Sequence, residues 1–290
     1  MLIIWRKLMP EPFQLREAYN KKVVIALAKR IKKVYKQFDD KGFTNDINSK
    51  INELNFGDRS LLIRNNLKHY LPKDFTKAAN ILIDSLMPEL TTVLGETTWD
   101  NFITVPETEF IAEEGSKDPK HFNLSMKALY ELTKRFSAEN AIRTFIEKYP
   151  SKTLPLLKKW TKDKNVHVRR LVSEGTRPRL PLSSPLRKFK KDPTEVIKLL
   201  ELLKDDKELY VRRSVANNLN DISKDNPPIV VKLLTKWKKN ATKERLWLIR
   251  HSLRTLLKQG NKGALALLGY QKPSIEIKKL NILTKTIKLG

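Results

Sequence analysis

The stretch LYVRRSVANNLNDISKDNP, residues 209–227, decides the fold class of this chain. Its apolar residues Val211, Val215 and Leu219 recur at every fourth position, which is the spacing of one helix face. The pattern ends where Asp, Asn and Pro follow one another. Glycine is scarce, with 9 among 290 residues, and strict apolar alternation is rare. The sequence therefore predicts an all-α protein.

Copies of the motif that opens this helix occur elsewhere in the chain. VRR at 168–170 precedes VRRSV at 211–215 by 43 positions, and IRHSL at 249–253 follows it by 38. RFSAE at 135–139 precedes RLVSE at 170–174 by 35 positions. Such irregular spacing is typical of HEAT-like repeats, in which helical pairs bury their apolar faces by stacking on their neighbours. We therefore predict a superhelical solenoid of HEAT-like helical repeats.

The repeats divide the chain into three parts, which we expect to form one continuous domain. Residues 1–77 are helical and amphipathic without a clean copy of the motif, which indicates a divergent N-terminal cap. Residues 78–272 are assigned to the repeats and residues 273–290 to a Lys-rich C-terminal tail. The stretch 78–116 is acidic and contains no Lys or Arg, so we expect it to face away from any polyanion.

Positive charge is abundant and unevenly distributed. The chain has 58 Lys and Arg against 32 Asp and Glu, with a net charge of +4 in residues 1–150 and +22 in residues 151–290. Such a concentration is self-repulsive unless a polyanion binds, which favours nucleic acid over an anionic membrane surface. With neither a membrane-spanning run nor a signal-peptide pattern, we expect a cytoplasmic protein that joins the nucleoid through DNA.

Cysteine is absent and the four histidines are scattered. The missing cysteine excludes disulfides, zinc–thiolate sites and cysteine nucleophiles, and the histidines lack the paired spacing of metal ligands. We therefore expect no metal and no cofactor.

Two Arg-x-x-x-Glu pentads stand at equivalent positions of neighbouring repeats, Arg135 to Glu139 and Arg170 to Glu174. On a helix each pair would share one face, and an intrahelical ion pair is the simplest interpretation. However, Arg before Glu is the weaker order, and Glu174 beside the terminating Gly175 opposes the helix dipole.

A carboxylate on a phosphate-facing surface is costly, and the later repeats carry uncharged Asn217 and Thr255 at the equivalent positions. One use for it would be to stabilise the positive charge that develops on a sugar when an N-glycosidic bond breaks. Two interpretations thus stay open for Glu139 and Glu174, namely structural ion pairs or catalytic carboxylates.

The segment GTRPRLP, residues 175–181, follows Glu174 directly. Pro178 and Pro181 restrict the backbone of the residues before them, which predicts a stiff, extended loop. It is either a plain connection between helices or a rigid loop that aims Arg177 and Arg179 at phosphates.

Equivalent helices of a solenoid line one surface, so the basic residues of the repeat motif would form a concave stripe that suits duplex DNA. Tryptophan most often packs in a core, but Trp247 precedes two residues of this stripe and is the best of five candidates for stacking on a base. The predicted DNA contacts are Arg135, Arg143, Arg169, Arg177, Arg179, Arg212, Arg213, Trp247, Arg250, His251 and Arg254.

Four segments resemble the AlkC-type branch of the AlkC/AlkD DNA alkylation-repair glycosylases. They read KRFSAENAIRTF (134–145), VHVRRLVSEGTRPRLPL (166–182), LYVRRSVANNLNDISKDNP (209–227) and LWLIRHSLRTLLKQGNKGALALLGY (246–270). With weaker similarity near the start, the resemblance extends over residues 9–270.

The resemblance implies a HEAT-like superhelix that binds duplex DNA in a basic concave groove and hydrolytically removes N-alkylated bases such as 3-methyladenine. It implies active-site roles for Glu139 and Glu174 with Arg170 beside them, and places Arg177 and Arg179 in the RPRLP loop. Family members are thought to act without enclosing the base in a deep pocket. We expect a monomer.

One position departs from the family pattern, because relatives usually read RPRLPW where this chain has Leu182. Loss of that ring would weaken stacking on the lesion or alter the substrate range. It would also suit a non-catalytic protein that binds damaged, bent or branched DNA. A HEAT-repeat scaffold for an acidic protein is the third interpretation.

Overall fold

The computed structural model describes residues 14–91, 93 and 99–270, and all regular structure in these ranges is helical. The α-helices are α1 (Lys21–Val34), α2 (Asp40–Asn48), α3 (Phe56–Tyr70), α4 (Phe75–Asp84), α5 (Thr104–Gly115), α6 (Phe122–Thr133), α7 (Ala141–Lys148), α8 (Pro150–Trp160), α9 (Val166–Gly175), α10 (Arg187–Lys191), α11 (Thr194–Leu203), α12 (Leu209–Asp225), α13 (Pro227–Lys238), α14 (Lys243–Ser252), α15 (Arg254–Lys258) and α16 (Lys262–Leu267). Short 3₁₀ helices span Leu15–Ala18, Ile51–Glu53, Trp99–Ile103 and Pro119–His121. The predicted all-α class is confirmed, whereas the Lys-rich tail, residues 273–290, lies outside the described residues.

Several helices begin at residues whose side chains satisfy the first free backbone N–H groups. Asn20 caps α1, Asn55 caps α3 and Asn165 caps α9, each accepting a hydrogen bond from an amide two or three residues ahead. Pro150 and Pro227 open α8 and α13, where a missing N–H costs nothing. Local sequence therefore fixes where these helices start.

Stacked helices bury the repeat motif. Helix α9 packs against α12, and α12 packs against α14, while α8, α11 and α13 pack behind them. The apolar positions of the motif, such as Val168, Val211 and Ile249, are buried in one hydrophobic core that runs from Tyr19 to Leu267. This arrangement is the stacking of helical pairs that a HEAT-like solenoid requires.

The first Arg-x-x-x-Glu pentad does not form a helical pair. Helix α6 ends at Thr133 and α7 begins at Ala141, so Arg135 and Glu139 lie in the turn between them and share no helix face. Arg135 instead pairs with Glu131, one turn earlier, at 2.6 Å. The sequence comparison aligned this turn with helix α9, and the predicted i,i+4 geometry is wrong for this pentad.

The acidic stretch contributes helix α5 to the packed interior. Helix α5 packs against α3, α6 and α7. Glu107 is fully buried and pairs with Arg30 of α1, because a buried charge needs an ionic partner. None of the described helices is long and apolar enough to cross a membrane.

Candidate active site and nucleic-acid interface

Glu174 sits at the end of α9, where the helix comes close to the turn that precedes α7. A Cβ added at Gly175 would lie 2.5 Å from Cγ2 of Ile142 and 3.6 Å from the backbone oxygen of Glu139. Only glycine permits so close an approach without a shift of Ile142. Gly175 therefore brings the two candidate glutamates into one site.

Both oxygens of Glu174 have partners, and the side chain is buried. Oε1 accepts a hydrogen bond of 2.7 Å from Arg177 and lies 3.5 Å from Nη2 of Arg170. Oε2 accepts a hydrogen bond of 2.6 Å from the hydroxyl of Ser214 on α12. Burial alone would raise the pKa of this carboxyl, but the two arginines and Ser214 outweigh it and hold the pKa below its usual value. Glu174 is therefore ionised at neutral pH.

Arg170 joins the two glutamates. Its Nη1 contacts the carboxylate of Glu139 and lies 3.0 Å from Oγ of Ser137, while the guanidinium covers the ring of Tyr210, 5.4 Å from the centroid. Burial opposes the charge on Arg170, yet Glu139 and Glu174 outweigh that effect and raise its pKa. The structure thus brings together the three residues that were predicted to be catalytic.

Glu139 differs from Glu174 in one respect. Its Oε2 contacts Ser137 and Arg170, but within the described residues its Oε1 has no hydrogen-bond or ion-pair partner. Its side chain is 28% exposed, against 6% for Glu174. Glu139 therefore presents a free oxygen, and Glu174 does not.

The segment after Glu174 folds back in turns rather than extending. The amide of Leu186 donates to the oxygen of Pro178 at 3.1 Å. Arg177 is buried, and its Nε donates to Asp221 at 2.8 Å. Arg179 forms two hydrogen bonds with Asp225, of 2.8 and 2.7 Å. The prediction that this loop aims both arginines at phosphates is therefore corrected, since acidic residues of α12 hold them.

Two further predicted DNA contacts are interior groups. Nη1 of Arg143 donates to the oxygens of Gly175 and Arg177, and Nη2 donates to that of Ser184. These bonds hold the loop after α9 in place. Arg169 forms a bidentate pair with Asp206, at 2.6 and 3.0 Å. Both arginines are buried, so we now assign them to the support of the fold rather than to DNA contact.

Arg135 and Arg212 are also engaged with the protein. Nε of Arg135 donates to the oxygen of Met87 at 2.8 Å, and Nη1 of Arg212 donates to the oxygens of Asp206 and Lys207. Both side chains remain half-buried. They brace loops at the ends of neighbouring helices.

The exposed part of the predicted stripe lies on α12 and α14. Arg213 and Arg250 are exposed, and no acidic group of the described chain lies within ion-pair distance of either. Trp247 is 37% exposed and stacks on His251, with ring centroids 5.0 Å apart and planes 9° apart. Burial lowers the pKa of His251, with Arg254 and Arg213 adding to the effect, which keeps the imidazole neutral at pH 7. Arg213, Trp247, Arg250 and His251 form what we call the α12–α14 surface. Half-buried Arg254 adjoins it at the start of α15, where its Nη1 donates to the oxygen of His251.

A cavity of about 670 Å³ adjoins the two glutamates. Its walls come from the N-terminal helices, from α5 and from the loops beside α9. Sequence analysis did not predict this cavity, because the segments that form its walls lie far apart in the chain. Its lining residues include Tyr19, Phe56, Ser60, Phe102, Glu109, Phe136, Glu139, Arg170, Glu174, Arg177 and Leu182.

Leu182 stands at the rim of this cavity. Its side chain is 81% exposed, and its backbone has a φ of +58°, in the left-handed region that a branched residue rarely adopts. Leu182 is thus held at the edge of the cavity in an uncommon backbone conformation.

Comparison with known proteins identifies the family of this chain. Residues 135–256 match the profile of a family described as DNA alkylation repair enzyme. The chain is 36% identical over 278 residues to YhaZ of Bacillus subtilis (strain 168), described as uncharacterized, and the match covers 95% of this chain and 74% of YhaZ. It is 37% identical to Pseudomonas fluorescens alkylpurine DNA glycosylase AlkC, solved bound to DNA containing an abasic site analog. That match has a TM-score of 0.78 and covers 89% of this chain and 68% of AlkC. This chain therefore belongs to the AlkC/AlkD family of DNA alkylation repair enzymes.

Proposed function

We propose that this protein is a DNA glycosylase that hydrolyses the N-glycosidic bond of alkylated bases, of the 3-methyladenine type, in duplex DNA. One observation carries the proposal: Glu139 and Glu174 meet at Arg170 on the wall of a cavity. Membership of the family supports the reaction class, and the DNA in the similar AlkC structure supports the kind of substrate.

The carboxylates fit the charge that this reaction creates. When the bond between C1′ and the base nitrogen breaks, its electron pair leaves with the base and the sugar becomes an oxocarbenium-like cation. A base alkylated on a ring nitrogen is already cationic, so it departs neutral without an added proton. Water then adds to C1′ and releases its proton to solvent. An ionised carboxylate held in a site of low polarity stabilises such a cation more strongly than water does.

The two glutamates have different parts in this proposal. Glu139 turns its free Oε1 towards the sugar, because its other oxygen is held by Arg170 and Ser137. Glu174 keeps Arg170 and Arg177 in position and adds its negative charge from within the fold. Arg170 fixes both carboxylates but cannot lose its proton, so it takes no part in proton transfer.

The α12–α14 surface is the proposed contact with the DNA backbone. Arg213 and Arg250 are exposed and free of acidic neighbours, as a phosphate contact requires. The stacked pair of Trp247 and His251 offers a flat surface beside them. We propose that DNA lies across this surface with the alkylated nucleotide towards Glu139.

The proposal is tested by release of 3-methyladenine from methylated duplex DNA by the purified protein. We expect release by the wild type, and a loss of about 100-fold or more for Glu139→Gln and for Glu174→Gln. Glu195→Gln is the matched control, since Glu195 pairs with Lys198 on the exposed side of α11. No release by the wild type, or equal release by both active-site variants and the control, would reject the proposal.

A second candidate is a non-catalytic protein that binds damaged, bent or branched DNA. The observation in its favour is Leu182, an aliphatic side chain exposed at the cavity rim. This candidate predicts strongly salt-dependent binding to DNA without base release. Leu182→Trp tests this candidate. If the wild type releases no base and Leu182→Trp does, the wild type is a DNA-binding protein whose site lacks only the aromatic ring for catalysis.

A further inference from the structure

We propose that Tyr210 is a positioning residue, whose ring holds the guanidinium of Arg170 where it joins Glu139 to Glu174. This role rests on the proposed function, because it concerns the same two carboxylates. Tyr210 is half-buried on α12 and does not line the cavity. It therefore acts on the reaction through Arg170 rather than by touching the substrate.

The ring of Tyr210 lies beneath the cation that both carboxylates share. Cζ of Arg170 is 5.4 Å from the ring centroid, within the distance of about 6 Å at which a guanidinium and an aromatic ring attract each other. Nη1 contacts the carboxylate of Glu139, and Nη2 lies 3.5 Å from Oε1 of Glu174. The guanidinium thus has a carboxylate at two of its nitrogens and the face of a ring beneath it.

Tyr210 is itself held in place by the stacking of repeats. It stands at the second position of α12, which packs against α9. Its ring meets the ring of His167 edge-on, with centroids 5.8 Å apart and planes at 70°. An aromatic ring packed between two helices is a rigid surface, so Arg170 rests on a fixed support.

Tyr210 belongs to a face of α12 that supports the site over successive turns. Ser214, four residues later, donates to Oε2 of Glu174 at 2.6 Å. Asn218, four residues further on, donates to the oxygen of Ser173 at 2.7 Å. Residues four apart lie on one side of a helix. The same side of α12 therefore holds the arginine, the carboxylate and the backbone of α9.

The repeat motif does not itself require an aromatic residue at this position. Tyr210 directly precedes the VRR motif of α12, and the equivalent residue before the IRH motif of α14 is Leu248. The equivalent of Arg170 one repeat later is Arg213, which is exposed. An aromatic residue thus follows the repeat whose arginine belongs to the site, and an aliphatic residue follows the repeat whose arginine is exposed.

The hydroxyl of Tyr210 does not hold Arg170. It is buried, and within the described residues it has no hydrogen-bond partner. Burial raises the pKa of Tyr210 to about 12, with Arg170 opposing the effect and the two glutamates adding to it, so the phenol is neutral at pH 7. A neutral hydroxyl without a partner supplies neither charge nor a hydrogen bond, which leaves the ring as the part that acts.

The ring matters for the reaction because charge stabilises a developing cation best when it is already in place. Without the ring, the guanidinium of Arg170 has no support on that face and pairs less firmly with Glu139 and Glu174. The two carboxylates then lose part of their fixed geometry, and base release slows although both remain present.

The test compares Tyr210→Leu with Tyr210→Phe in single-turnover base release from methylated duplex DNA, with DNA affinity measured alongside. We expect Tyr210→Leu to slow release about tenfold, as loss of a partly desolvated contact between a cation and a ring predicts, and Tyr210→Phe to match the wild type. DNA affinity should be unchanged in both. Tyr210→Phe should be at least as stable as the wild type, because it removes a buried hydroxyl that has no partner.

The acidic limb of the pH profile gives a readout that a purely structural role would not move. Burial raises the pKa of Glu174, but Arg170 helps to hold it below its usual value. We therefore expect the acidic limb to move to higher pH in Tyr210→Leu and to stay in place in Tyr210→Phe. The groups that face Glu174 are Arg170 on its own helix, Arg177 in the following loop, and Ser214 and Tyr210 on α12.

Phe122→Leu is the matched control, because it also removes a ring beneath a cation. Nζ of Lys152 lies 5.6 Å from the centroid of Phe122, and neither residue lines the cavity. Phe122 is buried, so the variant loses stability, but we expect unchanged base release at a temperature at which it is folded. Equal losses of release in Phe122→Leu and Tyr210→Leu would assign the effect to lost stability and reject the positioning role.

A second measurement follows Arg170 without DNA. An aromatic ring shifts the NMR signals of protons above its face upfield. The side-chain signals of Arg170, assigned by their loss in Arg170→Lys, should therefore move downfield in Tyr210→Leu and stay close to their wild-type positions in Tyr210→Phe.

The outcomes separate this role from the proposed function. If the wild type releases base and Tyr210→Leu matches it, or if Tyr210→Phe loses as much as Tyr210→Leu, the positioning role is rejected and the glycosylase proposal stands. If the wild type releases none, the glycosylase proposal falls, and a shift of the Arg170 signals in Tyr210→Leu alone upholds the role while its absence rejects it. Should Tyr210→Leu fail to fold, wild-type Arg170 signals without an upfield shift would reject the role.

Discussion

The hydroxyl of Ser214 donates a hydrogen bond of 2.6 Å to Oε2 of Glu174, across the interface between α12 and α9. Ser214 itself accepts from Ser173 at 2.7 Å. A carboxylate at the end of one helix is thus held by the next repeat. The stacking of repeats, which forms the core, also fixes the orientation of an active-site group.

Replacing Ser214 with alanine tests this link. Because Ser214→Ala leaves a buried carboxylate oxygen without its donor, we expect a loss of about 1–3 kcal/mol in the free energy of unfolding. The pKa of Glu174 should rise, since this hydrogen bond helps to lower it. Denaturant unfolding measures the first effect, and the acidic limb of the base-release pH profile measures the second.

Ser252→Ala is the control for that experiment. Ser252 is also fully buried, but its hydroxyl donates its hydrogen bond to the Leu248 carbonyl of its own helix and not to Glu174. We expect a smaller loss of stability and an unchanged pH profile. Equal pH profiles for both variants would show that Ser214 does not act on Glu174.

The lowered pKa of Glu174 predicts how stability depends on pH. A carboxyl whose pKa is lower in the folded than in the unfolded chain adds stability above its unfolded value, about 4.3 for glutamate, and this stability is lost as pH falls through the folded value. We therefore expect the unfolding free energy of the wild type to fall below about pH 4, and Glu174→Gln to show a shallower decline.

Glu109 contributes with the opposite sign, because its pKa is raised on folding. Its share of stability is present at low pH and is lost as pH rises through the folded value. The difference in unfolding free energy between Glu109→Gln and the wild type should therefore change with pH in the direction opposite to that for Glu174→Gln. If the unfolding free energies of Glu109→Gln and Glu174→Gln, each taken relative to the wild type, changed with pH in the same direction, the opposite pKa shifts assigned to the two carboxyl groups would be wrong.

Exposure decides which arginines control DNA affinity. Arg213→Ala and Arg250→Ala should each reduce the slope of log affinity against log salt by about one, because each removes one phosphate contact. Arg169→Ala should leave that slope unchanged and instead lower the unfolding free energy by about 3–5 kcal/mol, since it strands the buried Asp206. Fluorescence anisotropy with duplex DNA at several salt concentrations measures the slopes. If Arg169→Ala reduced the salt slope more than Arg213→Ala did, Arg169 rather than Arg213 would be the phosphate contact, and the assignment would be wrong.

Sequence alone predicted the helical class and the repeats, because apolar spacing such as that of Val211, Val215 and Leu219 records which face is buried. It also selected Glu139, Glu174 and Arg170, which the structure brings together. The spacing argument behind the first pentad was wrong, since an alignment of residue types does not show whether a segment is a helix or a turn.

Sequence could not indicate which arginines are paired within the protein and which are exposed and able to contact DNA. Arg143, Arg169 and Arg177 carry the same charge as Arg213, but each has an acceptor that lies between 34 and 44 residues away along the chain. Pairing at that distance depends on how the helices stack. Sequence likewise did not mark Glu109 as a residue of the site. Its partner Ser60 lies 49 residues away, and the cavity that both residues line forms only in the folded chain.

Base release from methylated duplex DNA by the wild type, Glu139→Gln and Glu174→Gln, with Glu195→Gln as control, tests the central claim most directly. Thermal unfolding and DNA affinity are measured alongside, so that loss of folding or binding is not mistaken for loss of catalysis. The account predicts release by the wild type and the control and a loss of about 100-fold or more in both active-site variants, with DNA binding retained. Folded, DNA-binding variants that release base as fast as the wild type would contradict it.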